Sequence, residues 1–490
     1  MEMNNFNIDD SKSNLLYELL EIENTEEILD FSIPKYNFPL WLYIRFDFFQ
    51  YLINLFTNKQ NQTTSKVTKE TIAGTHRDNY RQVFFHFLPQ MFTPWPQRDI
   101  WYLSNIGSDY YKNSNGKFID IYNDTFASVI PSKSLYISQS IHAKKDIQKE
   151  TYPFKFIQSA DIAFGKLSKY LTNKQHKAII HSLILFLKSR CKLIYNLKLP
   201  EEYWHSLEKR INYKIGYSIT QFYFYQCLYR YRKPKILVLT DSYYGHADII
   251  SQAHAHDIIT VEIQHGAFSR LHPAYNWAKK LCESQNIKNY IVDYFLTFGS
   301  FWHNCMQLPG KYLEIGSPWF SIQRYNQQQT GEDILFCLAD TYNEFKDIIE
   351  AVQDALPSKK VIVRPHPHQK KLFYESSLIQ CRNIIIDNNT DIYETFQQAS
   401  IVIGDLSTSL YEALALGKRV FILETDYSKN AFPDLPVTFF ANSADLIKKI
   451  KNSVTGRLSL SQRESIFNTN WQQNYKNFVD TITTRSQQNV

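Results

Sequence analysis

The sequence predicts an α/β protein: two Rossmann-like domains whose parallel sheets face a central cleft, preceded by a helical N-terminal extension. Three observations carry this. Short apolar runs alternate with helical stretches from residue 235 to 424, the strand–helix–strand signature of parallel sheets. The alternation comes in two series, separated by the polar stretch WFSIQRYNQQQTGE at 319–332, which reads as a linker. The chain has 490 residues, too many for one ordinary core. The boundaries read as a helical extension with a polar loop at 1–80, a first domain with a helical insertion at 81–318, a second domain at 319–459, and a terminal helix at 460–490 placed to cross back to the first domain.

Residues 14–56 have a helical pattern, and 57–79 are polar. Within the helical part, PLWLYIRFDFFQYLINLF at 39–56 is broken by Arg45 and Asp47. It reads as a core-facing helix, because its polar positions are too poor in Lys and Arg for a membrane-surface anchor. DIWYLSN at 99–105 is a strand, NSNGKFIDIYND at 113–124 a turn and an alternating strand, and 160–232 long helix. KILVLTD (235–241), IITVEIQHG (258–266), DYFLTFG (293–299) and YLEIGSP (312–318) complete the strands of the first series, with a helix from 245 to 256. In the second series the strands are DILFCLAD (333–340), KKVIVRPHP (359–367), NIIID (383–387), SIVIGD (400–405) and KRVFILE (418–424). Helices fall near 342–355, 391–398, 409–416, 443–453 and 460–483, and no internal repeat is evident beyond this architectural echo.

The hydrophobic fraction of 44% and the charged fraction of 21% describe a soluble globular chain. The net charge of +6 comes from 54 basic and 48 acidic residues, with no run dense enough for a nucleic-acid surface. The six cysteines are scattered without a C-x-x-C, so neither a disulfide framework nor a zinc site is expected, and a reducing cytosol is favoured. The N-terminal segment lacks the pattern of a signal peptide, and no run of about 18 apolar residues exists. A cytoplasmic protein is expected, with peripheral association at the inner face of the membrane left open.

The chemistry gathers at strand ends. VIVRPHPHQ at 361–369 delivers Arg364, His366 and His368 at the tip of one strand. Proline has no N–H, so the chain leaves the sheet just where His366 appears. Arg364 can add charge-assisted hydrogen bonds to a phosphate. The plainer reading of His366 is a capping residue on a surface loop. ASIVIGDLSTSLYEALALG at 399–417 delivers Asp405, Ser407, Thr408 and Ser409 just before a helix. A helix start offers unpaired N–H groups and about half a positive charge, a ready anion site. Glu412, one turn in, could accept hydrogen bonds from ribose hydroxyls. The competing reading is a capping box, Ser409-x-x-Glu412, with Gly417 as the stop. In the first domain, EIQHG at 262–266 places His265 at a strand tip beside Gln264 and Gly266, where a general base for an acceptor hydroxyl would stand. A structural histidine is the alternative, and Asp241 and Glu262 compete for the role, Asp241 with the better placement.

There is no D-x-D, no G-x-x-x-x-G-K-[ST] and no G-x-G-x-x-G. P-loop and dinucleotide readings therefore lose support. A site without a metal must neutralise a leaving phosphate with helix dipole, Arg and His.

On His366-Pro367 and the Ser407-Thr408-Ser409 cluster, the chain resembles the bacterial capsule and surface-polysaccharide transferases of GT-B fold. These include the CDP-glycerol glycerophosphotransferases, the polysialyltransferases and the capsule Kdo transferases. The resemblance covers residues 235–425. It implies that His366 and the hydroxyl cluster hold the phosphates of a cytidine nucleotide. It also implies an acceptor in the first domain and a donor in the second. The glycerophosphotransferases carry Trp-His-Gly where this chain has Gln264-His265-Gly266, so the histidine is kept and its predecessor is not. A likeness to retaining Kdo transferases would instead make Asp241 a nucleophile. The expectation is a metal-independent glycosyltransferase that uses no cofactor. It would move a sugar from a CMP- or CDP-linked donor to a growing capsule or lipopolysaccharide glycan, oligosaccharide or lipid-linked. The alternatives are a nucleotide-sugar 2-epimerase of the same architecture and a non-catalytic binding subunit of a capsule export complex.

Overall fold

The computed structural model describes residues 15–56, 94–104, 110–112, 118–138, 154–156, 164–165, 167–168, 170–243, 245–324, 331–339, 342–366, 369, 373–375, 378, 383–389, 391–452 and 458–488. The predicted polar loop at 57–79 and His368 lie outside them.

Two parallel sheets form the molecule. The first has seven strands: β1 (Ile100–Ser104), β2 (Ser134–Ser138), β3 (Phe154–Phe156), β4 (Ile236–Leu239), β5 (Ile259–Ile263), β6 (Tyr294–Thr297) and β7 (Lys311–Glu314). Their spatial order is β7-β6-β5-β4-β1-β2-β3. The second has six: β8 (Asp333–Cys337), β9 (Val361–Arg364), β10 (Ile384–Ile386), β11 (Ala399–Gly404), β12 (Arg419–Leu423) and β13 (Thr438–Phe440), in the order β10-β9-β8-β11-β12-β13. Counted in chain order, the second sheet runs 3-2-1-4-5-6. The first runs the same way with a seventh strand added. That is the doubly wound Rossmann order, in which ligands bind at the strand ends where the order reverses. The reversal falls between β1 and β4 in one sheet and between β8 and β11 in the other. Two such sheets facing a cleft make the GT-B arrangement.

Strands at the sheet centres are apolar throughout because helices cover both faces. Ile236–Leu239 and Ile401–Ile403 are buried at every position. β2 reads SLYIS, and Ser134 and Ser138 are buried with it. Ser134 donates to the Ile130 carbonyl at 2.7 Å, so the polar residue that opens this strand is satisfied locally.

The N-terminal extension is bonded into the first domain. Helix α1 (Leu40–Phe56) buries Leu40, Trp41, Ile44, Phe48, Phe49 and Leu52, which makes it a core helix. Its Arg45 pairs with Glu23 at 2.7 Å and donates to the Asn276 carbonyl at 2.7 Å, while Glu23 also accepts from the Ala278 N–H at 3.0 Å. The predicted helical stretch 160–232 includes two long helices, α3 (Lys174–Tyr195) and α4 (Glu201–Tyr231), the short α2 (Asn123–Val129) preceding them in the chain. The break between α3 and α4 is Asn196, at φ +50°, followed by Pro200. Helix α5 (Ala247–His254) packs between α4 and the sheet.

Residues 319–324, read from sequence as linker, instead belong to a helix, α6 (Pro318–Arg324). The second domain adds α7 (Tyr342–Ala355), α8 (Ile392–Gln398), α9 (Thr408–Ala415) and α10 (Ser443–Asn452). The terminal helix is two helices, α11 (Leu460–Ile466) and α12 (Trp471–Gln488). The step between them is pinned to the first domain: Asn468 donates its N–H to the Phe298 carbonyl at 2.8 Å and accepts from the Ser317 N–H at 3.2 Å. Gly316, at φ +111°, allows this approach, since a Cβ there would stand 2.4 Å from the Asn468 carbonyl oxygen. Beyond it, Trp471, Tyr475, Phe478, Val479 and Ile482 of α12 share a core cluster with Ile100, Tyr102 and Ile236 of the first sheet.

Candidate active site

The strand-end residues of the second domain arise from β9 and β11. Arg364 is the last residue of β9. Its Nη1 donates to Asp387 at 2.6 Å and to the Asn389 carbonyl at 3.1 Å. Asp387 is buried and also accepts from the Thr395 hydroxyl at 2.9 Å and the Asn389 N–H at 2.9 Å. Arg364 therefore braces the loop after β10 while remaining partly exposed. His366 follows it, half-buried, its carbonyl accepting from the Gln369 N–H at 2.8 Å.

At the reversal point, Asp405 is buried and accepts from the Ala339 N–H at 3.2 Å, tying the ends of β8 and β11 together. Helix α9 begins three residues later. Its cap is Ser407, which accepts from the Ser409 N–H at 3.3 Å and contacts the Ser409 hydroxyl at 2.6 Å. The competing reading of a Ser409–Glu412 capping box is therefore replaced by a Ser407 cap. The register is set by where β11 ends, one residue before Asp405. Ser409 is buried beside the Cys337 thiol. Thr408 turns the other way, into the cleft. Glu412 accepts from the Tyr393 hydroxyl at 2.9 Å, and burial pushes its carboxyl up to about 7.

In the first domain, Gln264 follows β5 and is buried. Its side-chain oxygen accepts from the Phe298 N–H and its amide donates to the Gly266 carbonyl, both at 2.8 Å. The turn that carries His265 is thus held from both sides. His265 is half-buried, with Tyr122 edge-on at 6.2 Å between ring centroids. A Cβ on Gly266 would meet the Thr408 hydroxyl at 3.6 Å, an ordinary contact, so space alone does not require glycine there. Asp241, after β4, has its carboxyl pushed up by burial, opposed by the positive fields of His246 and His265. Glu262 lies within β5. It accepts from the Ser242 N–H at 3.0 Å and the Tyr275 hydroxyl at 2.7 Å, and burial raises it to about 7.

These pieces meet across the cleft. The Ala267 N–H donates to the Thr408 hydroxyl at 2.9 Å, joining the two domains directly. A pocket of about 420 Å³ beside this bond is lined by Tyr122, Gln264 and His265 from one domain and Thr408 and Glu412 from the other, with Pro318 and Trp319 at its back. His265, Gln264, Thr408 and Glu412 are thus brought together. Arg364, His366, Ser407, Ser409, Gly266 and Asp241 are not among the residues that line this pocket.

Tyr122 and its support were not singled out by sequence reasoning. Asp120 accepts from Ser104, Tyr136 and Asn123, and Asn123 donates to Thr240 at 2.9 Å, which fixes the segment before α2 at the first sheet's own reversal point. The signal was present as Asp120-x-x-Asn123-Asp124, polar side chains clustered at the end of the predicted alternating strand. Among the described residues, no group of three His, Cys, Asp or Glu side chains is placed to hold a metal ion, and no helix is long and apolar enough to cross a membrane.

No family model and no curated protein sequence matches the chain. Solved structures do resemble it. The UDP-GlcNAc 2-epimerase of Methanocaldococcus jannaschii shares 11% identity at a TM-score of 0.45, over 78% of this chain and 99% of that one. A putative UDP-N-acetylglucosamine 2-epimerase from Listeria monocytogenes shares 10% at 0.43, over 80% and 98%. The wall teichoic acid polymerase TagF shares 12% at 0.42, over 90% and 97%. The fold assignment rests on the two strand orders, and no residue role is carried over from these proteins.

Proposed function

We propose that the chain is a glycosyltransferase that moves a sugar from a nucleotide-activated donor, CMP- or CDP-linked, to a hydroxyl of a growing capsule or lipopolysaccharide glycan without a metal ion. The observation that carries this is the shared pocket, where His265 of one domain faces Thr408 and the start of α9 from the other. His265 takes the proton from the acceptor hydroxyl, whose oxygen bonds to the anomeric carbon as the bond from that carbon to the phosphate oxygen breaks. The leaving nucleotide carries the charge away. The N–H groups opening α9 and the Thr408 hydroxyl, with His366 and Arg364 farther out, stabilise it as preorganised dipoles. As an acceptor from Ala267, Thr408 still has its own proton to donate. Glu412, with its raised pKa, can donate to or accept from the ribose.

A second reading has an observation in its favour. Asp241 and Glu412 are two carboxyls with raised pKa values, one from each domain, and Glu412 lines the shared pocket. Such groups suit proton exchange at a sugar carbon, as a nucleotide-sugar 2-epimerase requires. The test is to incubate the purified protein with CMP- and CDP-sugars, with and without an oligosaccharide acceptor. Transfer that needs acceptor, and that falls away in a folded His366→Ala variant, supports the proposal. Isomerisation without acceptor supports the epimerase. Near-normal transfer by His366→Ala contradicts the donor site, and nucleotide binding without turnover on any acceptor points to a binding subunit.

A further inference from the structure

Helix α3 is an outer layer of the first domain. Its buried face (His176, Ile180, Leu183, Ile184, Leu187 and Cys191) packs toward α4, α1 and the N-terminal extension. Its other face is exposed and carries Lys174, Lys177, His181, Leu185, Lys192 and Leu193 at helical spacing. Leu185 is 52% exposed and Leu193 is 77% exposed. Between residues 174 and 198 there are six Lys and Arg and no Asp or Glu, in a chain whose totals are 54 basic and 48 acidic. The near-balance of the whole makes this segment's one-sided charge a local feature.

The helix ends in a groove. Lys188, Lys192, Asn196, Lys198, Glu201 and Trp204 line a depression of about 700 Å³ at the turn between α3 and α4. Lys188 lies 5.7 Å from the Trp204 ring centroid and pairs with Glu201 at 2.7 Å. Among the described residues, Lys192 and Lys198 have no acidic partner. Glu201, the one acidic residue among those lining it, is already paired with Lys188.

We propose that this face of α3 docks the protein on an anionic phospholipid bilayer. A straight helix of 22 residues offers a strip about 33 Å long. Leu185 and Leu193 stand two turns apart on it and enter the acyl boundary together only against a flat apolar phase. The lysines flanking them extend their stems and meet lipid phosphates, and the groove takes a headgroup between Lys192 and Lys198. Neither the cleft nor any residue lining it takes part, so this proposal stands apart from the proposed reaction.

The experiment is co-sedimentation of the full chain with vesicles of phosphatidylcholine alone or of phosphatidylcholine with one-third phosphatidylglycerol. Wild type sediments with the second and not the first, and 0.5 M salt releases most of it. Reversing Lys174, Lys177 and Lys192 together to Glu weakens binding by about 100-fold or more, since each lysine near such a surface is worth about fivefold. L185A with L193A weakens binding by at least about tenfold at unchanged salt dependence. All five side chains are exposed, and an unchanged melting temperature verifies the fold of each variant. Failure of wild type to bind anionic vesicles at low salt overturns the proposal. So does equal binding by the reversed variant, which would assign the face to a protein partner or to solvent.

Discussion

The two walls of the cleft are built on the same strand order and present opposite chemistry. In the first domain the strand-end region carries His265 with Asp241 and Glu262 close behind, all groups that gain or lose protons. In the second it carries a helix start, a cation and hydroxyls, groups that attract anions, with the carboxyl of Glu412 one turn into the helix. The scaffolding differs in the same sense. The His265 turn is clamped by one neutral side chain, Gln264, with two hydrogen bonds. The second wall is braced by charge, through the Arg364–Asp387 pair and Asp405. In the proposed reaction one fold thus divides the work, proton transfer on one side and leaving-group stabilisation on the other. The bond from Ala267 to Thr408 joins the two directly.

The largest expected effect separates the walls outright. His265→Asn lowers the transfer rate by about 10²–10⁴-fold, the usual contribution of a general base, and leaves nucleotide affinity alone. Steady-state rates with saturating donor check it. Next in size, Arg364→Ala strands the buried Asp387 carboxylate and destabilises the fold by roughly 3 kcal/mol, at the low end for such pairs because Arg364 is partly exposed. Chemical denaturation measures this. An Arg364→Ala protein of unchanged stability would move Arg364 from bracing to pure ligand contact.

A third prediction concerns pH. Glu262 has a folded pKa of about 7, above its unfolded value, so the folded state binds the extra proton between about pH 4.5 and 7. Its stabilising contribution is complete below the unfolded pKa and is lost as pH rises through about 7. Through Glu262 the wild type therefore loses stability between pH 5 and pH 8. Glu262→Gln flattens that dependence by an amount on the order of 3 kcal/mol, read from melting temperatures across the range. The smallest effect is that of Thr408→Val. It keeps the shape but removes the acceptor for the Ala267 N–H, and it weakens nucleotide binding by about tenfold through one lost hydrogen bond.

The same contrast explains what was legible in the sequence. The second domain reads almost directly, because its strands are continuous apolar runs ending in RPHP and GDLSTS. The first domain does not. Its β2 carries serines that are buried and satisfied, its α3 and α4 merge into one helical pattern, and Tyr122 reaches the pocket from a short segment between distant strands. Pairing of residues far apart in the chain decides these features, and local pattern does not encode it. The sequence pattern pointed to Ser409 as the cap and the structure uses Ser407 for a similar reason, since both have a hydroxyl and only the end of β11 selects one. That Glu262 accepts from Tyr275, and so belongs partly to the core, needed the fold.

Calorimetric titration of CDP into three proteins tests the division of labour most directly: wild type, His265→Asn and Thr408→Val. The account predicts that His265→Asn binds CDP within about threefold of wild type, while Thr408→Val loses about tenfold. Equal losses in both variants, or a loss confined to His265→Asn, would contradict it.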